Sequence, residues 1–340
     1  MRLRRPLPWI FAVLGLVAAT VVVLVLLPSR QSPPPGTSPT SAPPSRVNTH
    51  AAAIGSAATS ANELRQTLAD MGRRSISWNV IYMSDDGQLE TDVLDAAAAH
   101  GVVHEVVTLE FWSLEHQQGV LRSIASGAVD GNLRHIAQQM RAWQAQHPGV
   151  ELILRPLHEA NLDSYPWGFG DGNANGNVQE DFAPAWDRIW HVMHAEFPGL
   201  KFFFCPNGWG TTYDWGVPAS EVDYVGHDNY NWSQASGEWH TPDDLLTGTV
   251  ERIRAIYPDK PYVIGETGTS EPGPGVTGQS KAQWFTDLAR WMSGSAADLG
   301  VVAVCYFDHG GNDDWRVYPR GKPGALASRA AFRAAFADIP

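Results

Sequence analysis

Two segments of this chain pair an apolar run with a glutamate at its end. Residues 150–154 (VELIL) form a mostly apolar run that leads into RPLHEANLDSYPWG at 155–168, with Glu159 at its centre; residues 261–268 read PYVIGETG, with Glu266 near their end. A short apolar run bounded by polar and turn-forming residues reads as a buried strand. Other such runs end in Glu110-Phe111-Trp112, Asn207, Asp228-Asn229-Tyr230 and Asp308-His309. Two carboxylates facing each other are what cleavage of a glycosidic bond requires. One protonates the leaving oxygen, and the other attacks or activates water. That chemistry needs a fold in which the strand ends meet.

The elements supply one. From residue 47 onward, strand-like and helix-like segments alternate. Strands are expected at 49–54, 75–83, 102–112, 150–154 running into Glu159, 201–206, 222–230, 261–266 and 301–307. Between them fall helical patterns. Ser60 and Glu63 form a capping-box signature, Leu64 and Leu68 share a face, and Gly72 stops that helix. Further helices are expected at 90–100, around Leu133, Ile136, Met140 and Trp143, and at 181–197, 243–256, 281–292 and 325–336. Eight strands alternating with helices imply an α/β fold with a parallel sheet, and the length suits a (β/α)8 TIM barrel. A doubly wound open sheet is the alternative, but no glycine-rich phosphate loop follows any strand. In such a barrel the site lies at the carboxyl ends of the strands, and strands four and seven face each other across the mouth.

Seven of the fourteen tryptophans lie in or beside segments that follow strands: Trp112, Trp167, Trp209, Trp215, Trp232, Trp239 and Trp315. Flat indoles stack on the apolar faces of sugar rings. Any one of them can equally pack a loop onto the barrel, but as a group they favour stacking.

Composition narrows the rest. The chain has 340 residues and a formal net charge of -12, unevenly spread. Residues 1–46 hold five arginines and no acid, which leaves 19 Lys and Arg against 36 acids, a net -17, in the remainder. So acidic a body is a poor partner for nucleic acid, whose affinity rests on phosphate neutralisation. Cys205 and Cys305 lie in apolar runs and read as two buried thiols, with a single disulfide as the lesser alternative. Basic residues 1–8 precede an apolar run at 9–27, nearly long enough to span a bilayer core of about 30 Å. No small-residue cleavage site follows, which favours an uncleaved signal-anchor with a cytoplasmic N-terminus over a cleaved signal. Residues 28–46 are a Pro, Ser and Thr rich spacer. The expected layout is a cell-membrane anchor with the 47–340 domain outside, or a secreted domain if the segment is cleaved.

The motifs carry a family resemblance. RPLHEANLDSYPWG resembles the strand-four motif of glycoside hydrolase family 26, and the similarity runs in order through SGAVDGNLRHIAQQMRAW, FFFCPN, VDYVGHDNYN, PYVIGETG and VVAVCYFDHGGNDDWRV. It covers residues 124–340; residues 47–123 match weakly. The resemblance implies a retaining β-mannanase-like enzyme of the (β/α)8 glycosidase clan, without a cofactor or metal. It implies Glu159 as general acid/base and Glu266 as nucleophile. Tyr230 would hydrogen-bond the nucleophile, and His158 would orient a carboxylate or the sugar. Trp167, Trp112 and Asn207 would bind or orient substrate. Two positions depart from the pattern. Ser164 stands where relatives often carry an aromatic, and Trp112 where they often carry a histidine. Like charges held about 5 to 5.5 Å apart cannot both ionise cheaply. Glu159 is therefore expected to be the protonated partner and Glu266 the ionised one.

Other residues have simpler readings. Arg155 shares the inward face with Glu159, about 13 Å lower along the strand, and reads as the counter-ion of a buried acid. Glu110 reads as structural, and Asp228 stays open between a supporting role and a helix cap. His100 and His104 are split by Gly101; His191 and His194 fall on an outer helix; only His50 lies on the first strand, so no metal site is expected. The implied substrate is a β-1,4-mannan, cleaved by a monomer. Mixed-linkage glucan or β-1,3-xylan is the alternative, and a non-catalytic glycan-binding barrel is the rival from a different class.

Overall fold

The computed structural model describes residues 52–310 and 313–340. The expected segments 1–8, 9–27 and 28–46 lie outside the described residues. Among the described residues no helix is long and apolar enough to cross a membrane.

The chain runs β1 (Ala53–Ala57), α1 (Ala61–Met71), β2 (Trp78–Ser84), α2 (Thr91–Ala99), β3 (His104–Glu110), α3 (Val120–Ala125), α4 (Asp130–Gln146), β4 (Glu151–Pro156), α5 (Phe182–Glu196) and β5 (Lys201–Phe204). It continues through β6 (Tyr224–Asn231), α6 (Ser233–Ser236), α7 (Pro242–Ile256), β7 (Tyr262–Thr269), α8 (Lys281–Ser293), α9 (Ser295–Asp298), β8 (Val301–Phe307) and α10 (Ala325–Ala335). The eight strands form one closed barrel in sequence order, and β1 pairs in parallel with β8 to shut it. The (β/α)8 expectation is met, and the open-sheet alternative is not.

Several boundaries differ. The first strand is Ala53–Ala57 where 49–54 was expected, with 49–51 outside the described residues, and the second begins at Trp78 rather than 75. β4 ends at Pro156, so Glu159 is not on the strand at all. Leu157 (φ 53°) and Glu159 (φ 51°) are both left-handed. Two non-glycine residues in that region cost on the order of 1–3 kcal/mol each and persist only where surroundings hold them. Local apolar pattern marks where a strand runs, not where its backbone reverses.

Alternation of side chains sorts the core. Trp78 and Val80 of β2, Val106, Ile153, Phe203, Val263 and Ala303 fill the barrel with Cys205 and Cys305, which are free buried thiols rather than a disulfide. Leu133, Ile136 and Met140 of α4 and Trp186 and Ile189 of α5 belong to the larger core between sheet and helices. α1 starts where expected: Ser60 accepts from the Glu63 N–H, and Gly72 closes the helix at φ 75°. The capping box is half made, because the Glu63 carboxylate accepts from the N–H and hydroxyl of Thr59 instead.

Candidate active site

Glu159 is fixed from several directions. Its N–H donates to the Cys205 carbonyl at 2.9 Å, and the Leu162 N–H donates back to its carbonyl at 2.9 Å. These bonds hold the left-handed turn. Its side chain is 6% exposed. Asn207 Nδ2 donates to Oε1 at 2.7 Å and the Tyr165 hydroxyl to Oε2 at 3.0 Å. Both donors are neutral. Burial, then the nearby Glu266 charge, raise the Glu159 pKa to about 7, with the Asn207 and Tyr165 bonds pulling the other way.

Glu266 lies on β7 and is equally buried. Arg155 Nη2 donates to Oε1 at 2.5 Å, and the Tyr230 hydroxyl donates to Oε2. Burial would raise this pKa, but Arg155 and the Tyr230 bond hold it below the ordinary carboxylate value. Below about pH 7 Glu159 therefore keeps its proton, while the Glu266 carboxyl beside Arg155 ionises at lower pH.

Arg155 corrects an expectation. It does neutralise a buried acid, donating from Nη1 to both Asp228 oxygens at 3.0 Å. Its Nη2 also reaches Glu266, so it belongs to the site rather than to a layer beneath it. Its Nε donates to Thr108 Oγ1 at 2.8 Å, and the side chain is fully buried.

Room for this arrangement comes from an irregularity. The β6–β7 register shifts between His227 and Asp228, so that Asp228 pairs with Glu266 and Gly265 is the extra residue. A methyl on Gly265 would lie 2.5 Å from Asp228 Oδ1 and 2.9 Å from Arg155 Nη1. Glycine is needed there because the ion pair passes so close to the backbone.

His158 is 2% exposed; burial and then Arg155 lower its pKa to about 3, so the ring is neutral. Its Nε2 lies 3.9 Å from Glu110 Oε1. Burial pushes Glu110 well up, against a bond from Trp112 Nε1 at 3.1 Å, so this contact is not an ion pair at neutral pH. Trp112 is half-buried and packs edge-on against Tyr165 and Trp167. Trp167 departs from its expected place at the cleft. It has no exposed surface; its Nε1 donates to the His158 carbonyl at 2.9 Å, and its ring stacks on Tyr165 at 4.8 Å. It can orient His158 and Tyr165 but offers no face to a sugar. Asn207 orients Glu159, as described above.

The tryptophans divide accordingly. Trp167 and Trp215 are buried packing residues, and Trp112, Trp232, Trp239 and Trp315 are half-buried. Trp315 lies over Tyr230 at 4.7 Å on the Glu266 side. Trp209 alone of the seven is more than half exposed, at 53%.

Sequence reasoning missed Tyr165, although it lies beside Ser164, which is exposed and holds no ring. The signal was present as a tyrosine six residues after the glutamate, within reach once the chain reverses. His191 and His194 lie on α5, in the outer layer, as read from the sequence.

No family model matches the chain. It is 30% identical over 282 residues to endoglucanase H of Acetivibrio thermocellus, covering 80% of this chain. The chain spans only 28% of that relative's length. Among solved structures it is similar to a modular endo-β-1,4-mannanase from Cellulomonas fimi, described with the family 26 mannanases (TM-score 0.63, 17% identity, 85% of this chain and 71% of that one). A family 26 β-mannanase from Bacteroides ovatus superposes with TM-score 0.60 at 12% identity, over 86% of this chain and 90% of that one. In its closed eight-stranded barrel and in the order of its motifs, the chain resembles glycoside hydrolase family 26.

Proposed function

We propose that this chain is a retaining glycoside hydrolase that cleaves β-1,4-mannosidic bonds in mannans by double displacement. The observation that carries the reading is the contrast between two buried carboxylates: Glu159 is met only by the neutral donors Asn207 and Tyr165, and Glu266 by the Arg155 guanidinium and the Tyr230 hydroxyl. Glu266 attacks the anomeric carbon, while Glu159 gives its proton to the leaving oxygen. Glu159 then takes a proton from the water that releases the glycosyl-enzyme. Arg155 and Tyr230 keep the nucleophile ionised and oriented; Asn207 and Tyr165 position the acid.

A 2-fluoro glycoside with a good leaving group, followed by peptide mass mapping, tests this directly. Label on the peptide containing Glu266 is expected, together with a product that keeps the β configuration. Inversion of configuration would overturn the mechanism. A second reading, a β-glucan substrate such as mixed-linkage glucan, is favoured by the endoglucanase name of the 30%-identical relative. Reducing-end release from galactomannan, lichenan and β-1,3-xylan separates the substrates; activity on none of them, with binding to mannan, would mark a glycan-binding barrel. The 9–27 segment is proposed to anchor the 47–340 domain outside the cell membrane. Recovery of the full chain in the soluble fraction would sink that placement.

A further inference from the structure

Lys281 is a buried cation that takes no part in the double displacement. It is the first residue of α8 and has no exposed surface. An ammonium taken out of water is costly unless charges and hydrogen bonds replace the solvent. Burial lowers its pKa to about 8, with Asp314, Glu271 and Asp308 pulling the other way, so it is charged at neutral pH. Its Nζ donates to the Asp314 carbonyl at 2.6 Å, in the loop that follows β8. A charge-assisted bond of this kind is stronger than one between neutral groups.

That carbonyl belongs to the peptide group joining Asp314 to Trp315. At the other end of the same group, the Trp315 N–H donates to the His309 carbonyl at 3.0 Å. A peptide group is planar, so holding both ends sets the direction in which the Trp315 side chain leaves the backbone. The Tyr306 hydroxyl donates to the Trp315 carbonyl at 2.6 Å, and the Val317 N–H to Asp308 Oδ1 at 2.6 Å. These other ties come from β8 and its own loop; Lys281 reaches in from α8.

The indole so aimed lies against the support of the nucleophile. Its ring centroid is 4.7 Å from that of Tyr230 and 4.9 Å from that of Trp232. A methyl on Gly268, two residues past Glu266 on β7, would lie 3.0 Å from Trp315 Cγ. Tyr230 in turn gives its hydroxyl to Glu266. An indole free to tilt would leave Tyr230 less closely packed, and the bond that favours the Glu266 anion would loosen with it.

We propose that Lys281 is a positioning residue: by holding the Asp314–Trp315 peptide it keeps the Trp315 indole against Tyr230, and so Tyr230 on Glu266. This rests on the hydrolase reading above. The test compares the full chain as wild type, Lys281→Met, Trp315→Phe and the double variant, on whichever of galactomannan and lichenan the wild type cleaves. Lys281→Met should lower kcat roughly 10- to 100-fold, the scale of a displaced reacting group, with little change in KM. The acidic limb of kcat/KM should move up, because the Tyr230 bond lowers the Glu266 pKa. The double variant should lose no more than the worse single one, since both changes break one chain of contacts. Losses that multiply, or an unmoved acidic limb, would overturn the proposal. Lys281→Gln takes the place of Lys281→Met if that variant does not fold. Circular dichroism gives a reading without substrate: wild type minus Trp315→Phe isolates the exciton signal of the Trp232–Trp315 pair. Lys281→Met should lose that signal and keep its helix content; a retained signal rejects the hold. If the wild type cleaves neither glycan, the hydrolase reading fails separately, and the exciton signal decides whether Lys281 holds the indole.

Discussion

The end of β4 and the joined ends of β6 and β7 hold the same side chain in opposite ways. At β4 the backbone reverses through two left-handed residues, and Glu159 is met only by neutral donors, Asn207 and Tyr165. At β6–β7 a register shift seats Glu266 beside a cation and a phenol. Both groups are equally buried. Burial alone would raise both, so the partners decide which carboxyl keeps its proton. A hydrogen bond from a neutral amide weakly favours the anion; a buried guanidinium favours it strongly.

The largest effect should come from removing one side outright. Glu266→Ala is expected to lower kcat by more than the roughly 10²–10⁴-fold that positioned acid–base groups contribute, with activity returning when azide is added. Glu159→Ala should fall within that range on substrates with poor leaving groups and far less on nitrophenyl glycosides. Equal losses on both leaving groups would mean that Glu159 is not the proton donor.

Removing the cation should make the two sides alike. Arg155→Met leaves Asp228 and Glu266 without their partner, at a cost of about 3–5 kcal/mol in unfolding free energy. Glu266 then rises, so the acidic limb of kcat/KM moves to higher pH. Gly265→Ala is the milder form, costing about 1–3 kcal/mol through overpacking against Asp228. Denaturant melts and pH profiles read both variants, and an unmoved acidic limb in Arg155→Met would break the comparison.

The β4 side offers the reverse test. Wild-type kcat/KM should be bell-shaped, with its basic limb near pH 7 from Glu159 and its acidic limb below 4.5 from Glu266. Asn207→Ala and Tyr165→Phe each remove a donor that favours the Glu159 anion. The basic limb should then move up. A downward move would show that these bonds favour the acid form instead.

The smallest effect lies outside the site. Ser56, Asn79 and Glu105 form a buried chain of bonds, and burial raises Glu105 to about 8 from an ordinary 4.5. The folded state therefore binds a proton that the unfolded chain releases between those values. Stability from Glu105 is present below about pH 4.5 and lost as pH rises through about 8. In Glu105→Gln, Tm should fall less over that window. An identical pH dependence would show that Glu105 is not protonated.

Much of this was legible in the sequence. Apolar runs and helical periodicity are local properties, so eight strands in alternation, the order of the motifs and the two strand-end glutamates could be read directly. Tyr230 was assigned through the resemblance, and the structure places its hydroxyl on Glu266. Other features depend on contacts between residues far apart in the chain. Arg155 reaches Glu266 across 111 residues, and only barrel closure brings them together. Gly265 is an extra residue solely because of how β7 pairs with β6. Trp167 and Trp209 have the same composition signal, yet one is sealed and the other open, because the fold of each loop sets which face of the ring meets water. The sequence by itself determined the barrel and its pair of acids; the tertiary structure decided which acid is charged and which tryptophan faces solvent, because desolvation and charge pairing act through space.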